Sequence, residues 1–173
     1  MNARLACALA ALAGAGLLGF GYYLQHVKGL EPCPLCLVQR AFFYLLIVVF
    51  MLCAIHGPSN WGRSLYGLIA MLFAAGGFAT ASRQVWLQHL PADKVPACGP
   101  DLAFMLENLP LSRTLDKLFA GSGQCAEVQW TFLNLSIAEW ALGWFAAFFL
   151  LGLWLLIHRP RVPVDKLTRA IRA

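Results

Sequence analysis

Residues 33–55 read CPLCLVQRAFFYLLIVVFMLCAI. Past Arg40 the run carries no charge, and from Pro34 to Ile55 it is long enough to cross a hydrocarbon core of about 30 Å at about 1.5 Å rise per residue. Three more uncharged stretches share that character: Leu5 to Leu24, Ser64 to Ser82 and Trp140 to Ile157. In lipid every backbone amide needs a partner within its own segment, and single segments of this length without barrel-type alternation meet that need only as helices. Composition agrees, with 60% hydrophobic and 12% charged residues among 173, more apolar than one soluble core requires. The expectation is an all-α membrane protein, a four-transmembrane-helix bundle forming one integral membrane domain over 1–173. Its spans fall at about 5–24, 37–56, 64–82 and 140–157, its outer loops at about 25–36 and 83–139, and its tail at 158–173.

The first stretch also reads as a secretory signal peptide, because Arg4 precedes it and small residues fill it. Its length favours a retained helix. Small residues recur every four positions, at Ala3, Cys7, Ala11, Ala15 and Gly19, which predicts a face for close helix approach. Charge sets the orientation. Arg4, Arg63, Arg159, Arg161, Lys166, Arg169 and Arg172 fall on one side of a four-span arrangement with Asp165 as that side's only acid, so that side is expected to be cytoplasmic. The other side receives the segment from Arg83 to Glu139 with six acids. The net charge of +5 is therefore a topology signal and not the footprint of a nucleic-acid-binding surface.

Topology sorts the six cysteines. Cys7 and Cys53 lie within spans near the cytoplasmic end, where a thiol is expected to pack as an inert apolar group. Cys33, Cys36, Cys98 and Cys125 all face outward, and four cysteines in two loops can make two pairs. The first is a Cys-x-x-Cys flanked by Pro32 and holding Pro34, residues suited to a first helical turn. A helix N-terminus favours thiolate, and so short a loop makes a disulfide that is easily reduced, so this pair is poised for exchange. Cys98 and Cys125 bracket 26 residues. Closing that loop stabilises by roughly 3–4 kcal/mol in the chain-entropy model, which fits a structural staple. Pro96, Gly99, Pro100, Gly121 and Gly123 flank the two cysteines with open turns, which fits access by another protein. Spacing alone leaves the two readings level. Between them Leu111, Leu115, Leu118 and Phe119 predict a short amphipathic helix lying on the membrane surface.

Arg40 follows Cys36 by four residues, one turn deeper on the same face. At that depth it either snorkels to the headgroups or serves a function. A fixed cation there would stabilise the Cys36 thiolate and the charge developing on a reduced carbonyl acceptor, and a membrane quinone is such an acceptor. Among the histidines at span ends, His89 is the candidate, on the same outer side as the cysteine pair. Trp61, Trp86, Trp130 and Trp140 read as interface anchors.

These residues together resemble the DsbB family of bacterial disulfide bond formation proteins. The resemblance runs nearly end to end. It rests on Gln25-His26, on Pro32-Cys33-Pro34-Leu35-Cys36 with Arg40, on Val85-Trp86-Leu87-Gln88-His89, and on the block from Gly121 to Trp130 around Cys125. Asn134 and Ala138 stand where the family carries Gly and Pro. The resemblance implies a quinone-dependent protein-disulfide oxidoreductase of the bacterial inner membrane, with both termini cytoplasmic. It would reoxidise a periplasmic thioredoxin-like oxidase of the DsbA type and reduce ubiquinone or menaquinone, without a metal. It further implies that reduced DsbA attacks the Cys98/Cys125 disulfide at Cys98, that Cys125 then attacks Cys33, and that Cys36 is released beside the quinone, Arg40 and His89. A four-thiolate zinc site would call for a second Cys-x-x-Cys, and haem attachment for histidine where Leu37 stands. A vitamin K epoxide reductase-like enzyme would carry its Cys-x-x-Cys late in the bundle.

Overall fold

The computed structural model describes residues 2–58, 60–95, 110, 113 and 123–158. Four of its helices are long and apolar enough to cross a membrane: α1 (Ala3–Lys28), α2 (Pro34–His56), α3 (Asn60–Gln88) and α5 (Ile137–Ile157). The chain is a multi-pass membrane protein built as a helix bundle. A 3-10 turn at Ala92–Lys94 follows α3, and a one-turn helix, α4 (Gly123–Ala126), precedes a small hairpin of β1 (Thr131–Phe132) and β2 (Leu135–Ser136). Cys98 and the expected amphipathic helix around Leu111–Phe119 lie outside the described residues.

Buried positions reveal how the helices fit. On α3 they are Arg63, Gly67, Ala70, Ala74, Gly77, Ala81 and Gln84 in one row, with Thr80 and Leu87 beside it, and on α5 Ala138, Ala141, Phe145, Phe148, Gly152 and Leu155. Alternating steps of four and three give the 3.5-residue period of helices that wrap around one another. Small residues on α3 let its backbone approach α5. A Cβ on Gly67 would meet the Gly152 carbonyl oxygen at 2.7 Å, and one on Gly152 the Gly67 carbonyl oxygen at 2.9 Å. Phe145 then fills the space above Gly77 and stacks on Phe43 of α2, ring centroids 4.4 Å apart.

α1 and α2 form an antiparallel hairpin. Gly29 ends α1 with φ 66, a left-handed turn that costs glycine nothing, and its N–H bonds Leu24 O. At the far end Arg4 donates to Ile55 O and His56 O, the last carbonyls of α2. Cys7 and Cys53 lie in the same register, fully buried and joined as a disulfide with Cα atoms 6.1 Å apart. They are therefore not the separate packing thiols expected, because the hairpin sets them opposite one another. The four-residue row on α1 is also corrected: Cys7, Ala10, Gly14 and Leu18 are buried, whereas Ala15 and Gly19 are exposed. A step of four overshoots a helical turn by about 40°, so a long row drifts off the contact face.

α2 packs between α1 and α3, and α3 runs along α5. The side between α1 and α5 is left open. There an apolar groove of about 580 Å³ is lined by Leu17, Phe20 and Leu24 of α1 and Trp140, Ala141 and Trp144 of α5, with Trp130 and Phe132 of the hairpin region at its end. The hairpin turns through Leu133 (φ 54) and Asn134 (φ 62). Two positive φ values make the tight turn that matches strand twist, and asparagine tolerates this region far better than leucine. Ser136 then caps α5: its Oγ accepts from Glu139 N at 3.3 Å while Glu139 Oε2 accepts from Ser136 N at 2.6 Å. This reciprocal cap starts the helix with Ala138 buried in its first turn.

Candidate active site

Cys33 is the N-cap of α2, with extended backbone, and Pro34 takes the first helical position where a missing N–H costs nothing. Its Sγ accepts from Cys36 N at 3.3 Å and lies 2.7 Å from Cys36 Sγ. Cys33 and Cys36 are free thiols. Cys125 is fully buried on α4, which packs on α2 and α3, and it shares a hydrophobic cluster with Cys33, Leu35 and Leu87. The Cys125 thiol is hydrogen-bonded to Cys33. Hydrogen bonding to Cys125, then to Cys36, together with burial, pushes the Cys33 thiol far above its ordinary range.

Two cavities meet at Cys36. One, of about 40 Å³, faces α4 and is lined by Cys33, Cys36, Gln84 and Gln124 among others. The other, of about 120 Å³, is lined by Cys36, Gln25, Gln39, Arg40 and Phe43 and shares Leu17, Gly21, Leu24, Ile137 and Ala141 with the apolar groove. Cys33 belongs to the first cavity only, whereas Cys36 belongs to both.

Arg40 lines this second cavity but turns towards α1. Its Nη1 donates to Gln25 Oε1 at 2.6 Å, its Nη2 donates to Gly21 O at 3.2 Å, and its guanidinium sits 4.8 Å from the Tyr22 ring centroid. Sequence spacing placed it near Cys36 on one helix face; partners on α1 draw the cation sideways, so it meets Cys36 across a shared cavity. His89 is not brought to the site. It stands just past the end of α3, exposed, with Nδ1 2.9 Å from Val85 O, and lines none of these cavities. Five residues past Gln84 is about 140° round the helix, which turns position 89 away from the bundle.

Position 84 is the one the sequence reading passed over. Gln84 and Gln39 are both 4% exposed. Gln39 Nε2 donates to Gln84 Oε1 at 2.7 Å, and Gln84 Nε2 lies 3.2 Å from Cys36 Sγ and 3.4 Å from Cys33 Sγ. The signal was present in the pattern. The small-residue steps Gly67, Ala70, Ala74, Gly77 and Ala81 lead next to 84, and an amide on a face made otherwise of glycine and alanine marks a polar contact. Among the described residues no group of three or more His, Cys, Asp or Glu side chains is arranged to hold a metal ion.

Comparison with known proteins supplies the family. The family described as "Disulfide bond formation protein DsbB" matches residues 3–155. The chain is 52% identical over 150 residues to "Disulfide bond formation protein B" of Hahella chejuensis, covering 87% of this chain and 91% of that one. It is 46% identical over 159 residues to the protein of the same name from Marinobacter nauticus, covering 92% and 95%. A further relative, "Disulfide bond formation protein B 1" of Pseudomonas aeruginosa, is 47% identical over 140 residues, covering 81% and 86%. Four membrane-length helices, a Cys-x-x-Cys at a helix N-cap and a third thiol folded against it accompany these matches, and the chain belongs to the DsbB family of membrane thiol-disulfide oxidoreductases.

Proposed function

We propose that this protein reoxidises a reduced thioredoxin-like dithiol oxidase of the DsbA type and passes the electron pair through Cys98/Cys125, then Cys33/Cys36, to a membrane quinone beside Arg40. The observation that carries this reading is the gathering of Cys33, Cys36 and Cys125 at one end of α2, with Cys36 alone also facing the Arg40 cavity. In the relay, a thiolate of the partner attacks Cys98, and the Cys98–Cys125 bond breaks with its electron pair leaving on Cys125. The Cys125 thiolate attacks Cys33, and the Cys33–Cys36 bond breaks with its pair leaving on Cys36. The partner's second thiol resolves the mixed disulfide at Cys98, and the Cys98 thiolate so released attacks Cys125 of the Cys33–Cys125 bond, which restores Cys98–Cys125 and leaves Cys33 and Cys36 as the reduced pair that the quinone oxidises.

The residues present fit a quinone. A ring with two carbonyl acceptors suits a cavity holding the Arg40 cation and the Gln25 and Gln39 amides, and an isoprenoid chain suits the contiguous groove of tryptophan, phenylalanine and leucine. When bound, the quinone supplies the two-electron acceptor of the reaction. Arg40, held by Gln25 and Gly21, keeps a fixed positive charge at that cavity without needing to reorganise. The proposed membrane placement has the cysteine end in the periplasm and both termini in the cytoplasm of a bacterial inner membrane, consistent with the basic residues at Arg4, Arg63 and the C-terminal tail. The connections from α1 to α2 and from α3 to α5 then face the partner.

Turnover of a reduced thioredoxin-like protein by the purified protein, with and without a short-chain ubiquinone, tests the reading. Oxidation is expected only with quinone, and each of Cys33→Ser, Cys36→Ser, Cys98→Ser and Cys125→Ser is expected to abolish it. Full activity of Cys98→Ser would overturn the two-pair relay.

A further inference from the structure

The geometry points to Gln84 as a catalytic residue of the relay: its side-chain amide, oriented by Gln39, donates to the sulfur of Cys36 and stabilises the thiolate released there when Cys125 attacks Cys33. This rests on the relay described above and adds to it the group that receives the displaced charge.

Orientation of the amide follows from its partners. Gln84 Oε1 accepts from Gln39 Nε2 at 2.7 Å and stands 3.6 Å from Cys36 Sγ, while the Gln84 NH2 is the nearer group to the sulfurs, 3.2 Å from Cys36 and 3.4 Å from Cys33. Turning Gln84 alone would set two NH2 groups against each other inside the bundle. Both side chains are buried and anchored on different helices, Gln39 on α2 and Gln84 on α3, so neither can swing away into water. The dyad is thus a donor fixed before the reaction begins.

What such a donor does depends on the state of the sulfur. In the Cys33–Cys36 disulfide, sulfur is a feeble acceptor, and the amide gains little from it. Attack by Cys125 forms the Cys125–Cys33 bond and breaks the Cys33–Cys36 bond, moving one negative charge from Cys125 to Cys36. The same N–H then makes a charge-assisted bond in a site sheltered from water. An interaction stronger after bond cleavage than before accelerates that cleavage. A neutral amide is also the right chemistry: it offers a donor without burying another charge, whereas a carboxylate would repel the thiolate.

Gln84→Met keeps length and volume but removes the donor, and Gln84→Glu keeps the shape but offers only acceptors when ionised. With dithiothreitol as electron donor and a short-chain ubiquinone as acceptor, Gln84→Met is expected to lower kcat about 10- to 100-fold while leaving the quinone KM within about twofold. In the Cys33→Ser background, iodoacetamide labelling of Cys36 at pH 7 is expected to slow at least severalfold with Gln84→Met and further with Gln84→Glu. A merely structural role would not order the two variants in this way. Gln39→Met, which frees the Gln84 amide to rotate, is expected to slow labelling in the same direction but less, and it serves should Gln84→Met fail to fold. Labelling of Cys36 at the unsubstituted rate in both Met variants overturns the proposal. If the unsubstituted protein itself shows no quinone-dependent dithiol oxidation, the relay fails instead, so the two failures are distinct.

Discussion

At the scale of single residues, Cys33 and Arg40 line the two cavities that meet at Cys36. Cys33 is hemmed in by Cys125, Cys36 and Leu35, and hydrogen bonding to Cys125, then to Cys36, together with burial raises the pKa of its thiol. Arg40, one turn deeper, reaches α1 through Gln25 and Gly21. Arg40→Ala removes the cation from the cavity proposed for the quinone while leaving the sulfurs in place. The quinone KM is expected to rise at least tenfold, with single-turnover exchange between the partner and the cysteines unchanged; a steady-state assay over a range of quinone concentrations decides it. Arg40→Lys should recover only part of the loss, because an ammonium cannot bridge Gln25 and Gly21 as the planar guanidinium does.

Elements are held in register by contacts at both ends of the bundle. Arg4 on the final carbonyls of α2 and the Cys7–Cys53 disulfide join α1 to α2 at one end, and Arg40 with the Tyr22–Tyr44 hydroxyl pair, 2.8 Å apart, joins them at the other. α3 and α5 rely on backbone approach at Gly67 and Gly152, and on Ser136 Oγ donating to Gln88 Oε1 at 2.8 Å, which ties the start of α5 to the end of α3. Arg63, at the opposite end of α3, is buried with its guanidinium 4.8 Å from the Trp154 ring centroid, a cation–π contact. Gly152→Ala places a Cβ against Met71 Cγ and against Gly67 O and Met71 N, backbone atoms of α3 that cannot move aside. A loss of about 1–3 kcal/mol is expected, read as a lower melting temperature in detergent. An unchanged melting temperature would mean that the helices are not in contact there.

For the whole molecule, the consequential feature is the open side between α1 and α5. Three helix pairs close the bundle, and the fourth side leaves a groove of about 580 Å³ that runs into the cavity of Cys36 and Arg40. An apolar substrate dissolved in the bilayer can reach Cys36 by this route without crossing the aqueous loops. Leu17→Trp narrows the groove where it joins the cavity. The prediction is a raised KM for a quinone bearing an alkyl tail, a smaller change for one without a tail, and no change in thiol exchange with the partner. Equal effects on tailed and tailless quinones would show that the tail does not use this groove.

Hydropathy and chain length were enough to set four helices and a membrane class, because lipid leaves the backbone no alternative to internal hydrogen bonding. Local chemistry likewise made the Cys33–Cys36 pair legible as an N-terminal helix motif, since Pro34 and the cap depend only on neighbours in the chain. The heptad of small residues on α3 was written in the sequence too, and it leads to Gln84. What it could not disclose was the meeting of that amide with Gln39 and two sulfurs, which depends on how α2 and α3 are set against each other. The sideways reach of Arg40, the pairing of Cys7 with Cys53, the hairpin at Leu133-Asn134 and the burial of Cys125 against Cys33 are of the same kind. Each joins residues distant in sequence, or turns on a strained backbone that neighbouring packing must hold. Periodicity reports which face of a helix is buried, and only the tertiary structure decides what it is buried against. For the Cys-x-x-Cys pair, that difference separates a reactive motif from a site in which Cys33 faces a third thiol and Cys36 faces both an amide donor and the entrance from the membrane.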